Sequence, residues 1–332
     1  MGPRAAGSAE VRLSLPYRPP LDAAGLLEYL GRRAVPGVEE VQDGAYRRSL
    51  RLPGGAGVLE LRPAENSVQA RYWLEDDGDL AAAVERSRAL LDLDCDPDAV
   101  TGALGSDPLI GPLVRAAPGR RVAGHVDGAE LAARAVLGQQ VSVAGAVTHT
   151  ARLVSAYGEP LSEPVAGVTH LFPASEALAG ADPEAMAMPR SRARALIGLA
   201  RALANGELVL DAGADREQVL CRLLALPGIG PWTASYVAMR ALRDPDAFLP
   251  SDLGVRRALE RLGEDGRPAS AARLAERWRP YRAYGLQYLW ASLATAPPPG
   301  AALSSAAILR PPARRVAGTL AGGRRAIRRS RD

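Results

Sequence analysis

Residues 226 to 252 read LPGIGPWTASYVAMRALRDPDAFLPSD. The residues before Pro227 are good helix formers and Trp232 to Leu242 is again helix-prone, so the intervening Pro/Gly segment is predicted to be a turn between two helices. Gly228 and Gly230 tolerate positive φ and let another backbone come close. Free N–H groups at the start of the second helix then offer a site for an anion such as a DNA phosphate.

A single carboxylate, Asp252, ends this stretch and stands where the next helix is predicted to start. Taken alone, an Asp at such a place is most often an N-cap that accepts hydrogen bonds from unpaired N–H groups. A helix N-terminus also favours a carboxylate anion. Beside C1′ of a nucleotide, that anion can stabilise an oxocarbenium-like sugar and orient an attacking water.

Together with three other stretches, this segment resembles the signature of the helix-hairpin-helix (HhH-GPD) DNA glycosylase superfamily, and within it the bacterial 3-methyladenine-DNA glycosylase II type. The other stretches are LPYRPPLD (15–22), AARAVLGQQVSVAGA (132–146) and AERWRPYRAYGLQYLW (275–290). A lone hairpin also occurs in non-catalytic DNA-binding modules. Four stretches in the right order, spread over most of the chain, are much more specific.

The resemblance implies a glycosylase that flips an alkylated base such as 3-methyladenine or 7-methylguanine out of double-stranded DNA. It would then hydrolyse the N-glycosidic bond in base excision repair, with Asp252 as the catalytic residue. The sequence contains no lysine, the usual Schiff-base nucleophile, so a monofunctional enzyme without AP-lyase activity is expected. Two alternatives stay open: a non-catalytic module that binds damaged DNA, and a glycosylase for hypoxanthine or oxidised guanine.

The resemblance also implies a base pocket lined by aromatic residues, at or beside Trp232, Tyr236 and Trp290, with Tyr29 at a further position where an aromatic is usual. Electron-rich rings attract a cationic, stacking ligand. A purine alkylated at N3 or N7 carries such a charge and leaves as a neutral base without a general acid. The alternative that these rings are ordinary core aromatics stays open. Leu253 stands where the best-known pattern has Tyr, which leaves open the range of bases that the pocket accepts.

Two further DNA contacts come from the resemblance. Gln140 stands where the family carries an apolar wedge that fills the gap left by a flipped base; it is equally consistent with a surface residue near the DNA. Gly228, Gly230 and Thr233 are the expected phosphate-binding residues, although a Thr in the first turn of a helix can also be a local cap.

No cofactor is expected to be required. Family members can hold a monovalent cation, Na⁺ or K⁺, through hairpin carbonyls, which here would be those of Leu224, Leu226 and Ile229. The three histidines show no metal-ligand spacing. Cys95 and Cys221 are too few for a four-cysteine iron–sulfur cluster and fit reduced, buried residues.

The predicted fold class is α+β: a small antiparallel-sheet domain at 10–95 and a mostly α-helical, two-lobed domain with the helix-hairpin-helix at 96–297. A helix is predicted from Ala23 to Ala34, and the pattern after Asp79 predicts helices almost throughout. Period-two patterns predict strands at Tyr46 to Leu52, Val58 to Arg62 and Ser67 to Leu74.

The net charge of +4 is unevenly distributed along the chain. Residues 300–332 hold eight Arg and one Asp, whereas residues 1–299 hold 33 Arg and 36 acidic residues. The segment 298–332 is therefore predicted to be an Arg-rich disordered tail, either a solvated extension or a nonspecific DNA contact. With no long apolar run and no signal-peptide pattern, we expect a cytoplasmic, nucleoid-associated monomer that binds DNA and no membrane.

Overall fold

The sheet predicted near the N-terminus has five antiparallel strands in the computed structural model, which describes residues 10–211 and 213–294. The strands are β1 (Glu10–Pro16), β2 (Glu39–Gln42), β3 (Ala45–Arg51), β4 (Ala56–Pro63) and β5 (Ser67–Leu74), in the order β1-β5-β4-β3-β2. The predictions for β3, β4 and β5 are confirmed, and β2 was missed. The tail prediction for 298–332 lies outside the described residues.

The sheet buries one face by strict alternation. In β5 the residues Val68, Ala70, Tyr72 and Leu74 are buried and the residues between them are more exposed, as a period of two requires. Tyr72 lies opposite Leu59 of β4. This face packs against helix α1 (Ala23–Gly31), which ends earlier than predicted, and helix α2 (Leu80–Leu91).

The rest of the described chain is mainly helical, which confirms the α+β class. The helices are α3 (Pro97–Leu104), α4 (Gly111–Ala116), α5 (Gly128–Leu137), α6 (Val143–Tyr157), α7 (Ser175–Ala179), α8 (Arg190–Ala204), α9 (Arg216–Ala225), α10 (Pro231–Arg240), α11 (Leu253–Arg261), α12 (Pro268–Ala275) and α13 (Arg282–Ala294). Short 3₁₀ turns occupy Asp77–Asp79 and Glu276–Trp278. In the described residues, no helix is long and apolar enough to cross a membrane.

A β-hairpin interrupts the helices, where the sequence pattern predicted none. Its strands are β6 (Glu159–Val165) and β7 (Val168–Leu171). Pro160 and Pro164 lie inside β6, and each would break a helix by removing a hydrogen-bond donor. The prediction of helix almost throughout after Asp79 is therefore wrong at this hairpin.

Helix α10 contributes to two separate helical cores. Val237 and Ala238 belong to a core that α10 shares with α5 and α8, whereas Met239 belongs to a second core with α11, α12 and α13. Tyr236 packs against both. Because α10 directly follows the hairpin, the turn predicted to bind a phosphate is attached to the element that both helical cores share.

A buried ion-pair network joins the sheet to α5. Arg48 pairs with Glu39 at 3.0 Å and Glu130 at 2.5 Å, and Arg134 pairs with the same two glutamates at 2.9 and 3.0 Å. Burial alone would raise the pKa of Glu39, but the two guanidiniums bring it to about 2. His125 also lies here, and a nitrogen of its ring is close enough to the carboxylate oxygens of Glu39 and Glu130 for the three residues to hold a metal ion. The two arginines, however, already neutralise the charge of both carboxylates.

The two cysteines are free, and only one matches the expectation of burial. Cys95 is buried beside α3, whereas Cys221 is exposed on α9. Cys221 occupies the face of an amphipathic helix that points away from its core.

Candidate active site

The predicted hairpin is present between α9 and α10, and its glycines have distinct roles. Gly228 has φ +86°, and a Cβ there would lie 2.7 Å from the Cβ of Ala195 in α8, so conformation and space both require glycine. Gly230 is the N-cap of α10 and supplies no side-chain cap. The N–H groups of the first turn of α10 are therefore open to an anion.

Thr233 is placed differently from the other two expected phosphate-binding residues. It is 2% exposed, and its hydroxyl accepts a hydrogen bond from the Gln139 amide at 3.0 Å. The same amide nitrogen donates to the carbonyl of Gly228 at 3.0 Å. Thr233 thus joins the hairpin to the segment between α5 and α6, and its hydroxyl does not face solvent.

That segment carries Gln140 at its exposed tip. Gln140 adopts φ +57°, a left-handed conformation that costs a non-glycine residue about 1 kcal/mol or more. Arg192 of α8 donates to the carbonyl of Gln139 at 2.8 Å. Gln139, next to Gln140, is therefore hydrogen-bonded to α8 through its backbone and to the hairpin through its side chain. The strained, exposed tip is therefore anchored to the hairpin, and sequence analysis missed Gln139 as its anchor.

Of the three hairpin carbonyls expected to bind a cation, those of Leu224 and Leu226 lie at the C-terminal end of α9, where the helix dipole is negative, and that of Ile229 lies in the turn before α10. The carbonyl of Leu226 accepts a hydrogen bond from the N–H of Ile229 at 3.1 Å, which leaves it one lone pair. Leu224 is exposed at its side chain. This donor set suits a hard monovalent cation, and the site stays a prediction.

Asp252 is the N-cap of α11 and also accepts hydrogen bonds from two indole N–H groups. One carboxylate oxygen accepts hydrogen bonds from the Val255 N–H at 3.0 Å and from Trp290 Nε1 at 2.8 Å. The other accepts from Trp232 Nε1 at 2.9 Å. Three donors from three helices hold the carboxylate in one orientation. Leu253, directly after it, is 55% exposed.

The residue two positions after Asp252 must be small. A Cβ on Gly254 would lie 2.9 Å from a carboxylate oxygen of Asp252 and 3.0 Å from Cδ1 of Trp290. A methyl group there would therefore push apart the two groups that hydrogen-bond to each other.

The structure brings together all four aromatic residues expected in the base pocket. Trp232 and Tyr236 stack with ring centroids 5.3 Å apart and an interplanar angle of 8°, and Tyr29 and Trp290 stack at 6.4 Å and 17°. All four side chains are half-buried. Both tryptophans contact Asp252, so two aromatic walls lead away from one carboxylate. We call these four residues the aromatic box.

The end of the box opposite Asp252 contains a charge that sequence analysis missed. Arg240, 5% exposed, donates to the hydroxyl of Tyr236 at 2.8 Å and lies over the rings of Tyr29 and Tyr236 at 5.2 and 5.6 Å. Arg33 lies 3.8 Å over Tyr29. The spacing could have indicated Arg240, because Trp232, Tyr236 and Arg240 recur every four residues along one helix face.

Burial and the charges of these arginines give the phenols of Tyr236 and Tyr29 different pKa values. Burial alone would raise the pKa of Tyr236, but the charges of Arg240 and Arg33 lower it to about 8. Burial raises the pKa of Tyr29 to about 12 against the same charges. The box therefore ends in two phenols of unequal acidity beside a fixed cation.

Comparison with known families matches the chain in two adjoining parts. A family model described as the AlkA N-terminal domain matches residues 12–127, and one described as HhH-GPD superfamily base excision DNA repair protein matches residues 133–282. The second match contains the hairpin, Asp252, Trp232 and Tyr236, whereas Tyr29 and Trp290 lie outside it.

Individual relatives agree with these matches. "DNA-3-methyladenine glycosylase 2" of Escherichia coli K12 is 39% identical over 282 residues, covering 83% of this chain and 96% of its own. The "Probable bifunctional transcriptional activator/DNA repair enzyme AlkA" of Mycobacterium tuberculosis H37Rv is 49% identical over 288 residues, but this chain spans only 58% of it. The fold resembles the 3-methyladenine DNA-glycosylase of Archaeoglobus fulgidus, with a TM-score of 0.74 at 24% identity over 85% of this chain and 97% of that one.

Gly254→Ala should lower the free energy of unfolding and change the near-UV circular dichroism of the tryptophans, because the new methyl group displaces Trp290 from Asp252. Helix propensity alone predicts the opposite, a gain of about 0.5–1 kcal/mol. Gly198→Ala is the matched control, since a Cβ at that helical glycine meets nothing within 4 Å. Urea unfolding of both variants makes the comparison. Equal stabilisation with unchanged spectra would show that Gly254 is not confined.

Proposed function

The chain belongs to the HhH-GPD superfamily of base excision DNA repair proteins and to its AlkA-type 3-methyladenine glycosylase branch, and from this premise we propose that it is a monofunctional DNA glycosylase. Its proposed substrates are alkylated bases, 3-methyladenine, 7-methylguanine and related lesions, in double-stranded DNA. The proposed reaction is hydrolysis of the N-glycosidic bond, which leaves an abasic site.

One observation carries this proposal: a carboxylate fixed between two indoles at the end of an aromatic box. Asp252 receives N–H donors from Trp232, Trp290 and the backbone of α11. A flipped nucleotide whose base enters the box therefore brings its sugar to the carboxylate.

The chemistry follows from the position of the charge. As the bond between C1′ and the base nitrogen breaks, positive charge develops on the sugar, and the Asp252 carboxylate stabilises it electrostatically. Water then bonds to C1′ and gives up a proton, for which a free carboxylate lone pair is the nearest acceptor. A cationic alkylated purine takes the bonding electron pair and leaves neutral, so no general acid is needed for it.

Binding to the duplex would use the hairpin and the Gln140 tip together. The open N–H groups at Gly230 suit a phosphate of the lesion strand, and Gln139 ties that turn to the tip. The exposed Gln140 is our proposed wedge, which would fill the gap left by the flipped base. We further propose that the protein acts as a monomer in the cytoplasm, at the nucleoid; sedimentation of its complex with a single-lesion duplex measures the stoichiometry.

Asp252→Asn should lower the rate of excision by about 10²-fold or more while DNA binding persists, because an amide cannot stabilise the sugar cation. Asn caps a helix about as well as Asp, and its oxygen can still accept from the Val255 N–H and Trp290, so the fold should survive although the amide NH2 group cannot accept from Trp232. Single-turnover release of 7-methylguanine and binding to an undamaged duplex measure the two effects.

Asp215→Asn is the matched control, since Asp215 caps α9 through the N–H groups of Glu217 and Gln218 and touches no indole. It should retain the wild-type rate. Near-normal turnover by Asp252→Asn would assign catalysis elsewhere, and absence of excision by the wild type would favour a non-catalytic DNA-binding module.

Borohydride added during turnover should trap no covalent complex through a side chain, and DNA strands should stay intact until alkali is added. The chain has no lysine, which leaves the α-amino group as the only amine able to form a Schiff base. Peptide mapping of any trapped species checks this, and a cross-link inside the chain would refute the monofunctional proposal.

Gln140→Ala should slow excision from a duplex more than from a single strand that carries the same lesion, because only the duplex leaves a gap to fill. The ratio of the two single-turnover rates is the measurement. Equal losses on both substrates would show that Gln140 is not the wedge.

A further inference from the structure

The exposed residue Gln140 is strained, yet no contact of its own side chain explains the strain. Its backbone adopts φ +57°, a left-handed conformation that persists in a non-glycine residue only where neighbouring groups impose it. In the part of the chain that the structure describes, the Gln140 side chain makes no hydrogen bond or ion pair. The groups that fix this conformation therefore act through the residues beside Gln140.

Gln139, directly before Gln140, uses both hydrogens of its side-chain amide. The amide nitrogen donates to the carbonyl of Gly228 and to the hydroxyl of Thr233, each at 3.0 Å. An amide nitrogen carries two hydrogens, so neither is left for water or DNA. The backbone carbonyl of Gln139 accepts from Arg192 at 2.8 Å. Gln139 is thus bonded to the hairpin, to α10 and to α8 at once.

The hairpin end of this connection is closely packed. Gly228 has φ +86°, and a Cβ built on it would lie 2.7 Å from the Cβ of Ala195, so the turn lies directly against α8. Two residues later, Gly230 is the N-cap of α10 and leaves the first N–H groups of that helix without a side-chain cap. The Gln139 amide therefore lies between the predicted phosphate site and the predicted wedge.

The chain around Gln139 has little freedom to absorb a displacement. Only residues 138–142 separate α5, which ends at Leu137, from α6, which begins at Val143. Both helices contribute to the same buried core. In so short a link, a shift of Gln139 also shifts Gln140, because the covalent geometry between adjacent residues is nearly fixed.

Resting on the proposed function, we propose that Gln139 is a positioning residue that couples phosphate binding at the hairpin to insertion of the Gln140 side chain into the duplex. A phosphate bound to the open N–H groups of α10 would fix the hairpin relative to the lesion strand. Through the Gln139 amide, the tip would then take a fixed position relative to the same strand. Gln139 has to touch neither base nor sugar in this role.

The accuracy that insertion needs explains why such a coupling matters. Successive bases of one strand are about 3.4 Å apart, so a wedge that fills the gap of one flipped base has little tolerance for misplacement. A displacement of about 1 Å in a positioned group can cost about 10²-fold in rate. A single strand leaves no gap between paired neighbours, so its excision does not need the wedge. Coupling through Gln139 therefore affects duplex substrates selectively.

The test compares release of 7-methylguanine from a duplex with its release from the same strand alone. Gln139→Met keeps the length of the side chain and removes both amide hydrogens. Single-turnover rates at saturating protein are measured for the wild type, Gln139→Met, Gln140→Ala and the double variant. The ratio of the duplex rate to the single-strand rate does not depend on how much of a variant is correctly folded.

Gln139→Met should lower this ratio by about tenfold, while the single-strand rate stays within about twofold of the wild type. In the double variant the ratio should fall less than about twofold below that of Gln140→Ala, because a displaced tip has little left to lose. Gln69→Met is the matched control, since the Gln69 amide likewise donates to two groups, the hydroxyls of Ser14 and Ser67 in the N-terminal sheet. Its ratio should equal that of the wild type.

An unchanged ratio in Gln139→Met, or equal losses on both substrates, would overturn the coupling and leave Gln139 as a purely structural residue. Losses that multiply in the double variant would overturn it as well, since residues that act through one tip are not independent. Failure of the proposed function is distinguishable from these outcomes. It would appear as a wild type that releases no 7-methylguanine from either substrate, or as equal effects of Gln140→Ala alone on both.

Discussion

The site depends on one carboxylate that serves three helices. Asp252 caps α11, and the same side chain accepts the indole N–H groups of Trp232 from α10 and Trp290 from α13. Each of these bonds fixes a ring as well as the carboxylate. The placement of the two tryptophan rings, the confinement of Gly254 and the fixed orientation of the anion all follow from this shared acceptor.

Opposite charges lie at the two ends of the aromatic box. The Asp252 carboxylate lies at one end, hydrogen-bonded to Trp232, and the Arg240 guanidinium lies at the other, hydrogen-bonded to Tyr236. The Tyr29 face that would suit a cation already holds Arg33 at 3.8 Å.

Local sequence signals predicted the parts of the fold and site that depend on neighbouring residues. Alternation predicted β3 to β5, and the Pro/Gly turn predicted the hairpin and the start of α10. Contacts between residues that lie far apart in the sequence were harder to predict. The family resemblance placed Tyr29 and Trp290 in one pocket but did not predict their stack, and the contact of Gln139 with Gly228 was missed because the two residues lie on different elements. The contact of Arg33 with Tyr29 was missed although the two residues are only four positions apart. The β6–β7 hairpin was missed because its two short strands, one broken by prolines, carry no clear alternation.

We propose that Asp252 recognises positive charge at the sugar. The most direct measurement is the affinity of wild type and Asp252→Asn for two duplexes, one with a cationic pyrrolidine in place of the abasic sugar and one with a neutral tetrahydrofuran. The wild type should bind the cationic duplex at least tenfold more tightly, and the variant should bind both alike. Equal affinities of the wild type for the two duplexes would contradict the account.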